Sequence, residues 1–572
     1  MKGKGGQIVM EKQASQVNGS IFPSENLYLD LVNSFSLQDE EKLFSKTIGK
    51  FINDQVSPNR TALDNHNYTV SRKLFRDAGD LGLLGVDVPE DYGGLELGKR
   101  FSGLVAEKMG YGGSFSVSFN IHTGVGTLPY VYFGTEQQKV RYLPKLISGE
   151  WVGAYALTEP NAGSDAFAAK TQAIWDTDSN EWVINGAKQW ITNAHVAGVY
   201  VVFANTSEGI TAFIVERSMR GVSIGPEEKK LGIKGSSTAT LILEDVRVTS
   251  DQVLGEIGKG HYIAITILNL ARLKLSFANI GTSKQALSLA VSYGLDRKQF
   301  QKEIIDFPMI QEKLANMAIA IFGAESAAYY TASLLDQRNE TSEKVDDTIQ
   351  QLSDYALDCS INKVYASESL DAIVDEALQI HGGYGYMQEY DVEYLYRDAR
   401  INRIFEGTNE INRLTITKSF FKKYNKYQII ETDEITSETD NTFQTAVMKL
   451  FNILLKAVSV VGDVKELEQE SMRIIADVLK EVYVIKAAKL TAKHAKENNE
   501  LKELLADILS EEGYRRIEQQ TIELIASIVL DDVEKQDFID EIKALNIPLY
   551  SNLIAKKRKI AAELIKQGGY SI

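Results

Sequence analysis

A single cysteine, Cys359, in 572 residues excludes an intrachain disulfide and a cysteine-built metal site. A reducing, cytoplasmic compartment is expected, and Cys359 itself is expected in a packed core. Positive charge is also short. Against 78 Asp and Glu stand 62 Lys and Arg, and the net charge of −16 argues against nucleic acid as a partner, because phosphate contacts need clustered cations. A nucleotide cofactor needs only a few N–H groups and is not excluded. Long apolar runs are missing too. Nothing approaches the roughly 20 residues of a membrane span, and the first twenty residues lack the apolar stretch of a secretory signal. The protein is therefore expected to be soluble, with peripheral membrane contact the less favoured reading of its amphipathic helices. The chain has no GxGxxG, no P-loop and no GxSxG, which removes a Rossmann dinucleotide site, a P-loop nucleotide site and Ser/His/Asp hydrolysis. No second His or Cys stands at ligand spacing from His381, so no metal centre is expected.

What is present is length and helical periodicity. A chain of this size exceeds one core, and at least three domains or subdomains are expected. From Ser36 and Asp39, in capping-box arrangement, to about residue 145, apolar residues recur at helical intervals, interrupted by the turn-rich stretch 82–94. Over about 151–248 the period becomes two, with turn signals at Asn185-Gly186 and Ser207-Glu208-Gly209. WVINGAKQWI within it reads as a hairpin. Helical spacing returns over 260–422 as four or five long helices, broken at Asp306-Phe307-Pro308 and at Gly382, Gly383 and Gly385. Residues 431–442 are acidic and Thr-rich and read as a linker. The rest is helical again, without a catalytic motif, and reads as a packing or docking domain. The fold class is mainly α with a middle β domain: an N-terminal α domain (25–150), a β domain (151–250), an α bundle (251–430) and a C-terminal helical domain (443–572).

One carboxylate is out of place. Glu406, in RIFEGTN (403–409), follows Ile404 and Phe405 and precedes Gly407, which permits a sharp turn, and Thr408, a good helix N-cap. In such company a glutamate loses hydration and its pKa rises toward the range of a general base; the other outcome is a helix-start carboxylate facing water. YALTEPNAGSD (155–165) could aim the Thr158 and Ser164 hydroxyls and free N–H groups at a polar ring, or be a surface turn. Trp190 could cover a ring system or be a core indole, with Thr192 beside it. QIHGGYG (379–385) allows close backbone approach to a ligand. Arg272 and Arg297 interrupt apolar helical stretches, and each is expected to reach a carboxylate or phosphate, or water.

Five uncommon strings in order, ALTEPNAGSD, KQWITNA, KKLGIKGSSTA, QIHGGYGYMQEY and RIFEGTNEI, resemble the acyl-CoA dehydrogenase family, in particular its very-long-chain branch with an extra C-terminal helical domain. The resemblance covers about 36–427 at motif level; the C-terminal domain agrees in length and helical character only. It implies the family fold, noncovalent FAD, and oxidation of an acyl-CoA thioester to its trans-2-enoyl form in fatty-acid β-oxidation, with electrons passed to an electron-transferring flavoprotein. By position Glu406 becomes the base. Tyr155, Leu157, Thr158, Trp190, Ile191 and Thr192 match positions lining the isoalloxazine, and Arg297, Phe300, Gln311, Gln379, Gly382, Gly383, Thr408 and Glu410 match contacts to the rest of FAD. Ser164, in the same loop, is carried as both a FAD and an acyl-CoA contact, and Asn269, Arg272 and Gly407 match acyl-CoA contacts. Some FAD contacts cross a subunit boundary in the family, which implies at least a dimer. The family's second position for the base, before Arg272, holds Ala271 here. Phe300-Gln301 replaces the usual Phe-Gly of the family. Ser116 and Asn120 fall near the bottom of the acyl cavity and suggest long chains. Two rivals remain: an acyl-CoA oxidase and a scaffold protein on the same fold.

Overall fold

The computed structural model describes residues 39–340, 349, 352–423, 443–461, 464–495, 497–545, 547 and 551–571. Residues 25–38, which include Ser36, and the acidic stretch 431–442 lie outside them. The described N-terminal helices are α1 Asp39–Phe51, α2 Arg60–Asp64, α3 Tyr68–Asp80, α4 Lys99–Met109, α5 Ser114–Thr123, α6 Leu128–Phe133 and α7 Glu136–Ile147. The stretch 82–94 interrupts them as turns, with a 3-10 segment at Glu90–Tyr92. α7 begins in a full capping box, the Thr135 hydroxyl accepting from Gln138 N–H and the Gln138 amide returning to Thr135 N–H.

The middle of the chain forms one sheet: β1 Gly153–Ala156, β2 Gln172–Asp176, β3 Glu181–Thr192, β4 Val199–Thr206, β5 Gly209–Glu216, β6 Val222–Glu227, β7 Thr238–Val248 and β8 Val253–Leu254. Their order is β6-β7-β3-β2-β4-β5-β8, with β1 parallel to β4. Alternation along β4 sends Tyr200 and Val202 into the sheet's own core and Val199, Val201 and Phe203 toward the helices. Ser207-Glu208 is the β4–β5 turn, as its residues indicate.

The hairpin expected in WVINGAKQWI does not form: β3 runs straight through it. Asn185-Gly186 is a bulge, where the register to β7 shifts and Gly186 takes φ 155°. Asn185 exchanges two hydrogen bonds with Asp245 across the strands, at 2.8 and 3.0 Å. A side chain at Gly186 would run into Thr171, whose Cα lies 2.8 Å from a built Cβ. The glycine thus serves strand packing rather than chain reversal.

Long helices follow: α8 Gly260–Asp296, α9 Pro308–Glu340, α10 Ala356–His381, α11 Asp391–Ala399 and α12 Asn409–Lys423. α8 is long and apolar enough to pass for a membrane span by composition, yet 78% of its most apolar window is buried inside the protein. The breaks fall at a 3-10 turn before Pro308 and at Gly382–Tyr386, as expected. The C-terminal helices are α13 Phe443–Val461, α14 Gln469–Lys493, α15 Asn499–Ile528, α16 Asp532–Ala544 and α17 Leu553–Gln567. They share one core with the bundle, since Val484, Leu509 and Leu564 belong to the same apolar cluster as Phe322 and Val364. Cys359 is buried in that cluster.

Candidate active site

The turn between α11 and α12 carries the isolated carboxylate. After a 3-10 segment, Arg400–Arg403, Glu406 and Gly407 both take left-handed conformations, φ 55° and 79°. For a glutamate this costs roughly 1–3 kcal/mol, so the loop must be held from outside. It is. Asn412 of α12 donates its side-chain N–H to the carbonyls of Glu406, Gly407 and Thr408 at 3.4, 2.8 and 3.0 Å. Arg272 of α8 donates to Glu406 O at 3.2 Å, and Lys363 of α10 to Gly407 O at 2.8 Å. Thr408 caps α12, its hydroxyl accepting from Ile411 N–H at 3.3 Å.

The carboxylate is the dry one of the two outcomes. Glu406 Oε2 is out of solvent and has no hydrogen-bond partner. Burial raises its pKa, and the charges of Arg272 and Lys363 oppose the rise. Arg272 reaches no carboxylate among the described residues: its partners are Glu406 O and Asn269 Oδ1, the latter at 2.9 Å. Desolvation holds the Arg272 pKa below its usual value and pushes that of buried Lys363 down to about 7. The free N–H of Glu406 has no acceptor among the described residues.

Glu406 and Phe405 border a cavity between α5, α8, α10 and α11. Its wall includes Ser116, Asn120, Ala271, Asn279, Leu370 and Leu395. Ala271, at the alternative base position, therefore faces the same space with only a methyl group. Asp398 borders it too; one oxygen of its carboxylate accepts the Ile233 N–H, and burial raises its pKa to about 6.

The sheet supplies a second group of candidate residues. The Tyr155 hydroxyl is sealed without a partner, and its pKa is pushed up by burial and by the charge of Glu406, which puts the two groups in one neighbourhood. Its ring meets Phe203 edge-on at 5.0 Å. The segment after it is pinned by Lys188 of β3, fully buried, which donates to Leu157 O at 3.2 Å and pairs with Glu159 at 2.7 Å. The hydroxyls of Thr158 and Thr192 have no protein partner among the described residues. Trp190 sits at φ 58° beside a second shift in the β3 register, which turns its indole outward, 56% exposed. The side chains of Leu157 and Ile191 are packed in apolar cores, so Ile191 has mainly its backbone to offer a ligand. Ser164 is exposed in the loop beyond. An outward indole, two free hydroxyls and a sealed tyrosine beside a dry carboxylate suit a polar planar ring.

The remaining predicted contacts divide. Arg297, Gly382 and Gly383 line a second depression that does not include Glu406. There Arg297 lies 5.4 Å over the Tyr384 ring, and a Cβ on either glycine would meet open space. Gln379 and Glu410 are exposed, Gln311 is half-buried, and Phe300 stands 87% exposed at φ 50°. His381 is packed, stacked on Tyr293 at 4.3 Å with Nδ1 2.7 Å from Ala377 O, and no metal-binding cluster exists among the described residues. Sequence reasoning misses Lys363, Lys188 and Asn412. Lys363 leaves a signal, a cation inside the apolar helical run CSINKVYAS; Asn412 leaves none.

Family sequence models match three consecutive stretches: "Acyl-CoA dehydrogenase, N-terminal domain" over 38–150, "middle domain" over 154–246 and "C-terminal domain" over 258–421. A probable acyl-CoA dehydrogenase of Bacillus subtilis is 40% identical over 98% of this chain and all of its own length. A bovine very long-chain specific acyl-CoA dehydrogenase is 37% identical over 66% of this chain and 58% of its own. An acyl-CoA dehydrogenase from Bacillus anthracis, solved in complex with FAD, superposes with TM-score 0.89 at 40% identity, covering 94% of this chain and 96% of that one. Butyryl-CoA dehydrogenase from Megasphaera elsdenii superposes at 0.62 and 33% identity, over 68% of this chain and 99% of its own.

Proposed function

The chain belongs to the acyl-CoA dehydrogenase family, and from that premise we propose that it oxidises long-chain acyl-CoA thioesters between their α and β carbons. The carrying observation is Glu406 Oε2, buried, unpartnered and at the edge of an apolar cavity. Bound FAD, the family's cofactor, supplies the acceptor for the β-hydride. Tyr155, Leu157, Thr158, Trp190, Ile191 and Thr192 would hold its ring, and Arg297, Gly382 and Gly383 the rest of the molecule. Glu406 removes the α-proton, a step that a raised pKa favours. The Glu406 N–H is free to donate to the thioester carbonyl, where negative charge develops. Ala271, at the family's second position for the base, lines the same cavity and offers no carboxylate there.

Long acyl chains are supported by the cavity continuing past Glu406 to Ser116 and Asn120, and by the similarity to very long-chain enzymes. We place the protein in fatty-acid β-oxidation in the cytoplasm, with electrons leaving to an electron-transferring flavoprotein. The FAD site is completed by a second copy of the chain.

The test is an anaerobic titration of the yellow protein with palmitoyl-CoA and, separately, butyryl-CoA, followed by addition of an electron-transferring flavoprotein or of oxygen. Stoichiometric bleaching by palmitoyl-CoA and reoxidation by the flavoprotein are expected. Bleaching by butyryl-CoA alone would contradict the chain-length reading, fast reoxidation by oxygen with peroxide release would make the protein an oxidase, and no bleaching would sink the reading altogether.

A further inference from the structure

A continuous polar chain joins the C-terminal helices to the Glu406 loop. Lys363, fully buried, bonds Gly407 O at 2.8 Å and Asn409 Oδ1 at 2.7 Å. Asn409, also buried, donates to Glu368 at 3.1 Å. Glu368 takes a two-pronged contact from Arg413, at 2.7 and 3.1 Å. Arg413 then reaches Asp477 of α14, with Nε at 2.9 Å and Nη2 at 2.8 Å. Lys480, one turn further along α14, binds Asp477 at 3.0 Å and Glu368 at 3.5 Å. Glu368, Arg413, Asp477 and Lys480 each have an opposite partner, and those partners lower the pKa values of Glu368 and Asp477 and raise those of Arg413 and Lys480, so all four stay ionised.

We propose that Lys363 is a positioning residue for the base, and that the C-terminal helical domain, through Asp477 and Lys480, completes the clamp that holds it. This rests on the reading of Glu406 as the base. Two left-handed residues in succession, one of them a glutamate, need fixed carbonyls to persist. Asn412 and Arg272 supply some of that restraint from within the bundle. Lys363 supplies the rest, and its second bond, to Asn409, is tied through Glu368 and Arg413 to α14. A misplacement of about 1 Å in a reacting group can lower a rate about 100-fold, so this clamp acts on the chemical step. Substrate affinity, set by the cavity walls, lies outside it.

The experiment is stopped-flow flavin reduction by palmitoyl-CoA in the FAD-loaded full chain, comparing wild type with Lys363→Met, Lys363→Arg and Asp477→Asn. Rapid bleaching of the wild type first establishes the dehydrogenase reading itself. Lys363→Met is then expected to lower the limiting reduction rate about 100-fold, while the acyl-CoA concentration at half-maximal rate and the FAD content stay within about twofold. Lys363→Arg should recover most of the loss, since it keeps an N–H donor within reach of Gly407 O. Asp477→Asn should lower the limiting rate several-fold with FAD retained. An active wild type combined with a Lys363→Met rate within twofold of it would overturn the proposal. Loss of FAD from Lys363→Met would also overturn it, by assigning Lys363 to the fold alone, and an unchanged rate in Asp477→Asn would remove the C-terminal domain from the clamp.

Discussion

Glu406 holds together two unfavourable conditions, a left-handed backbone and a buried, unpaired carboxylate oxygen. Neither serves stability, and both suit the proposed role of a base that meets a carbon acid out of water. The pH dependence follows from the direction of its pKa shift. The carboxylate must be ionised to accept a proton, and its pKa lies above the ordinary 4.5. The rate of flavin reduction should therefore be full above the raised value and fall as pH drops through it, at a higher pH than a solvent-exposed glutamate would give. A rate that stays flat down to the ordinary carboxylate range would contradict this. For stability the sign is opposite: between 4.5 and the raised value the folded state binds more protons than the unfolded chain, so Glu406's contribution falls as pH rises. The candidate base is legible in sequence because Ile404, Phe405, Gly407 and Thr408 stand beside it. Its supports are not, because Lys363 and Asn412 come from other turns of helix, and nothing local shows that their donors converge on three consecutive carbonyls.

Among the elements, β3 and α8 show what local pattern can and cannot specify. Asn-Gly between alternating apolar residues carries a strong hairpin signal. Here pairing with β7 on one side and β2 on the other keeps the strand extended, and the glycine is spent on a close approach to Thr171. Tertiary pairing overrides the turn. The bulges also turn Trp190 outward, which alternation alone leaves undecided. α8 is legible as a helix from its spacing, but its neighbours are not. Gly281 lies against α4, and a Cβ there would fall inside the Glu107 carbonyl oxygen and 3.2 Å from Gly110 Cα. Backbone on both sides leaves no flexible side chain to yield. Gly281→Ala is expected to push α4 and α8 apart and destabilise the protein by about 3 kcal/mol, read as a lower midpoint in denaturant with FAD bound. An unchanged midpoint would mean that the two helices are not locked at this crossing.

At the scale of the whole molecule, the C-terminal helices are continuous with the bundle rather than appended to it. Thr417 donates to Met472 O at 2.7 Å, Tyr570 to Glu325 at 2.8 Å, and the apolar core runs through both regions. The order of helical, strand-rich and helical regions is legible from periodicity, which changes from 3.6 to two and back. The docking of the described C-terminal helices is not, because their charged partners are spread over three helices. Phe300, Tyr384, Tyr386 and Met387 are exposed, and Tyr384 and Met387 line the same depression as Arg297 and Gly383. On the proposed reading a second copy would cover them and complete the FAD site, and sedimentation of the holoprotein at twice the chain mass is expected; a single-chain mass with full FAD would refute the shared site. The most direct measurement on the central claim is anaerobic mixing of the Glu406→Gln protein with palmitoyl-CoA. The account predicts bound FAD and a rate of bleaching reduced by about 100-fold to 10,000-fold, whereas bleaching at the wild-type rate would show that another group removes the proton.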